Sequence, residues 1–94
     1  MQLIDIVFDA SDKKIDNRTS YNILAHLMEE VGELATEVNI DFVGYKTPGE
    51  DGVIGEAVDV ILCALDLIRV NYPTVTKEQL NTIAQLKCDK WLSQ

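Results

Sequence analysis

The sequence has few of the side chains that bind transition metals. Its 94 residues include one histidine, His26, and two cysteines, Cys63 and Cys88, which are not in a CxxC spacing. This set does not make a zinc site, and a ferritin-like di-iron site would need two Glu-x-x-His pairs. We interpret both cysteines as buried thiols of a cytoplasmic protein, although one disulfide between them would also fit the count.

Basic residues are also scarce. Eight lysines and arginines stand against sixteen aspartates and glutamates, which gives a net charge of −8 and a pI near 4.4. A surface of this sign repels a phosphate backbone, so we expect no nucleic-acid polymer as a partner. A small phosphate ligand is still compatible with this charge if a divalent cation lies between the two.

Long hydrophobic runs are absent as well. No stretch reaches the roughly 18 apolar residues that cross a bilayer, and Asp5 and Asp9 interrupt an N-terminal segment that has no basic start. We therefore expect neither a signal peptide nor a membrane partner. The apolar fraction of 47% predicts a folded chain, a single domain over 1–94. A core of this size is small, so an oligomer would help to complete it.

The remaining residues predict a small, all-α, antiparallel helix bundle. The first segment would fit a strand equally well, but we favour a helix because nothing else offers a strand partner. Three glycines and a proline predict a loop over 44–52, and Pro73 ends the third helix. The expected helices cover about 1–15, Thr19 or Ser20 to about Phe42, Val53 to about Tyr72, and Thr76 to Trp91 or Leu92.

The two long helices differ in their patterns. On the second, apolar residues form one stripe and acidic residues lie on the opposite side. The third is apolar on nearly every face, so it must be covered on nearly every face, and we expect a subunit interface there. The stripe comprises Leu24, Leu27, Met28, Val31, Ala35, Val38 and Phe42.

Acidic pairs occur on both long helices. Glu30 and Glu33 are three residues apart on the second helix, and Glu56 and Asp59 are three apart on the third. Antiparallel packing would bring the four carboxylates to one level, where each like-charge pair costs about 0.2–0.5 kcal/mol or more. An oxygen-only ligand set relieves this repulsion by binding Mg²⁺, with Mn²⁺ as a substitute. His26, one turn before Glu30, would orient it or simply lie at the surface.

The segments EEVGEL and EAVDV, which begin at Glu29 and Glu56, resemble the ExxE…ExxD signature of the MazG-like family, and the similarity extends over about 20–91. These are all-α nucleoside triphosphate pyrophosphohydrolases. The resemblance implies an enzyme that cleaves a (deoxy)nucleoside triphosphate into a monophosphate and pyrophosphate with Mg²⁺, for housecleaning or control of the nucleotide pool. It also implies a homodimer or homotetramer.

The resemblance assigns roles to particular residues. Glu30, Glu33, Glu56 and Asp59 match the metal ligands, and Glu29 stands beside them as an auxiliary carboxylate. Lys46, Lys87 and Lys90 would neutralise the phosphates. Asp89 stands where short members often carry asparagine, which puts an amide contact to substrate in doubt. Apart from the resemblance, Asn39 lies close to Glu37 on the second helix and would either meet a base or ribose or be a polar residue at the helix end.

Two other interpretations stay open. The chain would also fit a non-catalytic acidic oligomer that binds a basic protein, or a hydrolase with another leaving group. Asp66, on the same face as Asp59, would either bind metal, contact another subunit or interact with Arg69.

Overall fold

The computed structural model describes residues 1–14, 17–43 and 52–94, and these residues form four α-helices with no strand among them. The predicted small all-α bundle is confirmed. Of the loop predicted over 44–52, only Gly52 is described; it begins α3 with a φ of 64°, which glycine adopts without strain. The helices are α1 (Leu3–Lys13), α2 (Ser20–Val43), α3 (Gly52–Asn71) and α4 (Lys77–Leu92).

The helix ends follow from local hydrogen bonds. The Thr76 hydroxyl accepts from the backbone N–H of Gln79 while the Gln79 side chain accepts from the backbone N–H of Thr76, which is the predicted capping box. The Thr19 hydroxyl accepts from the backbone N–H of Asn22 at 3.1 Å, so Thr19 caps α2. Pro73 follows the end of α3, as predicted.

Helix α3 is the centre of the bundle, and α2 runs antiparallel to it. Ser20 at the start of α2 donates to Asn71 at the end of α3, and further along α2 His26 meets Cys63. Helix α1 packs on the C-terminal part of α3. There Arg69 donates to both carboxylate oxygens of Asp12 at 2.8 and 2.9 Å.

The buried core is small and partly polar. Four apolar side chains are buried among the described residues: Val7, Ile23, Ile40 and Cys63. Three polar residues are buried with them: Ser11, Glu37 and Asp66. An extra interface is the ordinary way for so small a core to gain stability.

Helix α2 turns a mixed face, which lies between its apolar stripe and its acidic side, towards α3. Ile23 and Glu37 are buried on this face, and Leu27, Glu30 and Leu34 are half-buried. Glu37 is 8% exposed, whereas Met28 and Val31 of the stripe are 60% and 41% exposed. The acidic side of α2 is therefore not simply a solvated surface. The described side chains of the apolar stripe are exposed, except for Leu27, which is half-buried.

Parts of α3 and most of α4 are also exposed. On α3, Ile54 is 80% exposed, and α4 contains no buried residue. The radius of gyration is 15.4 Å, against about 12.4 Å expected for a compact domain of this length. The accessible surface of 7071 Å² likewise exceeds the roughly 5,400 Å² expected for a monomer of this mass.

Candidate metal centre

Three carboxylates converge between α2 and α3. Glu30 and Glu33 come from consecutive turns of α2 and Glu56 from the first half of α3, and one oxygen of each lies within 4.8 Å of the others. The antiparallel register produces this meeting, because it places the start of α3 beside the middle of α2. The predicted convergence of the two acidic motifs is therefore present for three of the four residues.

Asp59, the fourth predicted ligand, lies one turn after Glu56 and is half-buried. It is not among the three oxygens that lie within 4.8 Å of one another. Its negative charge nevertheless contributes to raising the pKa of both Glu30 and Glu56. Asp59 therefore lies at the edge of the cluster.

Glu30 and Glu56 hold their protons more tightly than isolated carboxyl groups do, because the pKa of each is raised. Loss of solvation, followed by the charges of Glu33, Asp59 and Glu30, raises the pKa of Glu56 from 4.5 to about 7. Loss of solvation is also the main cause of the raised pKa of Glu30, with Glu33 and Asp59 adding to it. A cation bound between these groups would remove the repulsion and favour their ionised forms.

Two carboxylate oxygens of the cluster have no hydrogen-bond partner among the residues that the structure describes. Glu30 Oε2 and Glu56 Oε2 are both buried, and neither receives a hydrogen bond. Buried polar atoms without partners are unusual in folded proteins and call for an explanation such as an ion. An all-oxygen set of carboxylates suits Mg²⁺ or Mn²⁺, so the residues fit such an ion.

His26 contacts Glu30 from the preceding turn of α2. Its Nε2 lies 3.0 Å from Glu30 Oε1, and its Nδ1 lies 3.7 Å from the Cys63 sulfur. His26 therefore contacts Glu30, as the first interpretation expected, and its side chain is 59% exposed, as the surface interpretation expected. Burial, together with nearby negative charges, raises the pKa of the Cys63 thiol, which therefore stays protonated near neutral pH. Cys63 is buried as predicted, whereas Cys88 is exposed; both are free thiols.

The other predicted site residues do not join the described cluster. Glu29 and Asn39 are exposed on α2, and Lys46 lies outside the described residues. Lys87, Lys90 and Asp89 are exposed on α4, where Asp89 accepts a hydrogen bond from the Gln85 amide at 2.8 Å. Their predicted roles stay predictions.

Asp66 has a different partner from those considered. Its Oδ1 accepts from the Ser11 hydroxyl at 2.6 Å, and its Oδ2 pairs with Arg18, whereas Arg69 pairs with Asp12. Sequence reasoning missed Arg18 and Lys14, which line two cavities beside Asp66. The only local signal was that they are among the eight basic residues of an acidic chain.

Comparisons with known proteins add no relative: no family model matches the chain, and no curated protein or solved structure matches it. Among the described residues, no helix has the length and apolar character to cross a membrane. The functional argument therefore depends on the geometry of the acidic cluster.

Proposed function

We propose that this protein is a Mg²⁺-dependent nucleoside triphosphate pyrophosphohydrolase, which releases pyrophosphate and a nucleoside monophosphate. The observation that carries the proposal is the convergence of Glu30, Glu33 and Glu56, with two buried oxygens that lack a partner. An unneutralised cluster of this kind destabilises the fold, so it is expected to serve a bound ion. The resemblance of the motifs around Glu30 and Glu56 to the MazG-like signature supplies the reaction.

Each carboxylate would have a defined task. Glu30, Glu33 and Glu56 would hold the ion, with Asp59 completing the set, and His26 would keep Glu30 in position. When bound, Mg²⁺ supplies positive charge to phosphate oxygens and lowers the pKa of a bound water. A carboxylate outside the ligand set would accept the proton of the attacking water, and the resemblance assigns this auxiliary role to Glu29.

We further propose a cytoplasmic role in control or housecleaning of the nucleotide pool. Free Cys63 and Cys88 fit a reducing compartment. The acidic composition fits a small nucleotide substrate held through a cation, and it disfavours a nucleic-acid polymer.

The test is a screen of all common ribo- and deoxynucleoside triphosphates for pyrophosphate release with Mg²⁺. We expect turnover of at least one of them, and a loss of more than about 100-fold in Glu56→Gln and Asp59→Asn. Glu78→Gln, an exposed acidic position on α4, is the matched control and should retain activity. Normal turnover in the two cluster variants, with folding verified by circular dichroism, would reject the assignment. Product identity by phosphorus NMR separates this reaction from one with another leaving group.

The alternative of a non-catalytic acidic oligomer predicts carboxylates spread for solvation. The burial of Glu37 and of oxygens on Glu30 and Glu56 weighs against that arrangement. Thermal melts with Mg²⁺ or EDTA distinguish the two, because a cation that binds only the native state raises its melting temperature. Equal melting temperatures in both conditions would favour the alternative.

A further inference from the structure

Two adjacent cavities lie along the bundle beside the acidic cluster. One has a volume of about 200 Å³ and the other about 150 Å³, and both are lined by Lys14, Arg18, Leu62 and Asp66. The smaller one is also lined by His26, the residue that contacts Glu30. The smaller cavity therefore approaches the candidate metal centre through His26, and both cavities lie towards the N-terminal end of α2.

The charge of this lining differs from that of the rest of the chain. Asp66 is opposed by Arg18 and also accepts from the Ser11 hydroxyl, so both of its oxygens are engaged. Lys14 has no ion pair among the described residues, whereas the neighbouring Lys13 pairs with Asp9 at 2.9 Å. Lys14 thus gives the cavities a positive charge in a protein whose net charge is −8.

The distance that the cavity lining covers along α2 indicates how long a ligand bound there would be. His26 lies one helical turn before Glu30 and Asn22 lies one turn before His26, so the lining extends about 11 Å along α2 from the acidic cluster. A lone phosphate bound at the metal would not reach across this distance. A polyphosphate chain with one end at the metal would extend into the cavity.

From this geometry, and resting on the proposed function, we propose that the cavity beside the metal centre binds the terminal phosphates of the substrate through Lys14, Arg18, Asn22 and His26. The ammonium of Lys14 acts as a compact charge towards the phosphate oxygens. Arg18, held by Asp66, presents its guanidinium in a fixed orientation. Asn22 and His26 supply the neighbouring polar wall. The nucleoside then lies on the opposite side of the metal centre.

The experiment measures pyrophosphate binding by isothermal titration calorimetry with Mg²⁺, which requires no catalysis. Lys14→Ala is the test variant, because the Lys14 side chain is exposed and forms no ion pair with another described residue. Lys13→Ala is the matched control, since it removes the same charge one residue away. We expect Lys14→Ala to weaken pyrophosphate binding about tenfold, with the control unchanged.

Nucleoside monophosphate binding is the second measurement. We expect its affinity to be the same in Lys14→Ala and in the control. A loss of monophosphate affinity with no loss of pyrophosphate affinity would place the nucleoside in the cavity and overturn the proposal. Absence of pyrophosphate binding, or equal binding in both variants, would also overturn it.

Measurements of hydrolysis distinguish failure of the proposed phosphate-binding cavity from failure of the proposed reaction. Hydrolysis with equal KM in Lys14→Ala and Lys13→Ala would reject the cavity while leaving the proposed reaction in place. Lys14-dependent pyrophosphate binding without any hydrolysis would reject the proposed reaction while leaving a polyphosphate site in this cavity.

Discussion

At the scale of single residues, Glu56 shows what the meeting of two acidic motifs does to a carboxyl group. Its pKa rises from 4.5 to about 7 because it loses solvent and faces Glu33, Asp59 and Glu30. Between these two pH values the unfolded chain releases a proton that the folded chain retains. The folded state without metal is therefore most favoured below pH 4.5, and this contribution is lost as the pH rises to about 7.

The direction of this pH dependence predicts how the stability of the metal-free protein, measured in EDTA, changes with pH. We expect the melting temperature to fall as the pH is raised from about 4.5 to about 7, and we expect Glu56→Gln to reduce this fall. Asp5 and Asp12 do not mask the effect, because their pKa values lie below 3.8 and their contributions change only at lower pH. Thermal melts at several pH values provide the measurement.

The control for this prediction is Glu78→Gln, which should keep the wild-type pH dependence. Mg²⁺ should oppose the fall, since ion binding requires ionised ligands and therefore becomes stronger at higher pH. A wild-type melting temperature in EDTA that stays level or rises across this range would contradict the prediction.

At the scale of the helices, Asp66 joins α1 and the start of α2 to α3. It contacts Ser11 of α1 and Arg18 just before α2, and both side chains of the ion pair are largely buried, at 12% and 18% exposure. Removing one charge leaves the other in a poorly solvated place. This penalty is much larger than that for a surface pair.

We therefore expect Asp66→Asn to lower the free energy of unfolding by about 3 kcal/mol. Asp9→Asn breaks the exposed pair with Lys13 and should cost about 0.5 kcal/mol or less. Urea denaturation monitored by circular dichroism measures both values. Equal losses of unfolding free energy in the two variants would show that the buried ion pair contributes no more to stability than the exposed one.

The helices themselves could be predicted from local pattern, whereas their pairings could not. Thr76 with Gln79, Thr19 and Pro73 mark helix ends through contacts between near neighbours, so the sequence predicts them directly. The partners Arg18 and Asp66 are 48 residues apart, and no periodicity relates them. The meeting of Glu30 and Glu56 could be predicted only because the two acidic pairs and the short connection between their helices restrict how α2 and α3 can be aligned.

The rotation of α2 relative to α3 could not be predicted from the local pattern either. Its apolar stripe would ordinarily face the core, but α3 meets a face that is shifted towards the acidic side and includes the buried Glu37 together with Ile23. A hydrophobic periodicity identifies the stripe without saying whether it packs within the chain or against another. A subunit interface was predicted from the apolar pattern of α3, but none was predicted for the stripe of α2.

At the scale of the whole molecule, the chain buries less surface than a self-contained domain of its size. The excess over the expected accessible surface is about 1,600 Å², which is about twice the roughly 800 Å² that each partner buries in a standard protein interface. Exposed apolar residues on α2, α3 and α4 contribute to this surface: Leu24, Met28, Val31, Ile54, Ile61, Ile83, Leu86 and Trp91. A homodimer or homotetramer would cover them.

The last prediction follows from this surface. If the stripe of α2 is a subunit interface, the double variant Met28→Glu with Val31→Glu should reduce the oligomer to a monomer, because it buries two charges without partners. Ala25→Glu, exposed on α2 but off the stripe, should leave the assembly unchanged. Sedimentation equilibrium measures the mass of each variant. A wild-type protein that is monomeric at high concentration, or a double variant with the wild-type mass, would exclude this interface, whereas dissociation would show that the exposed stripe of α2 is covered by another copy of the chain.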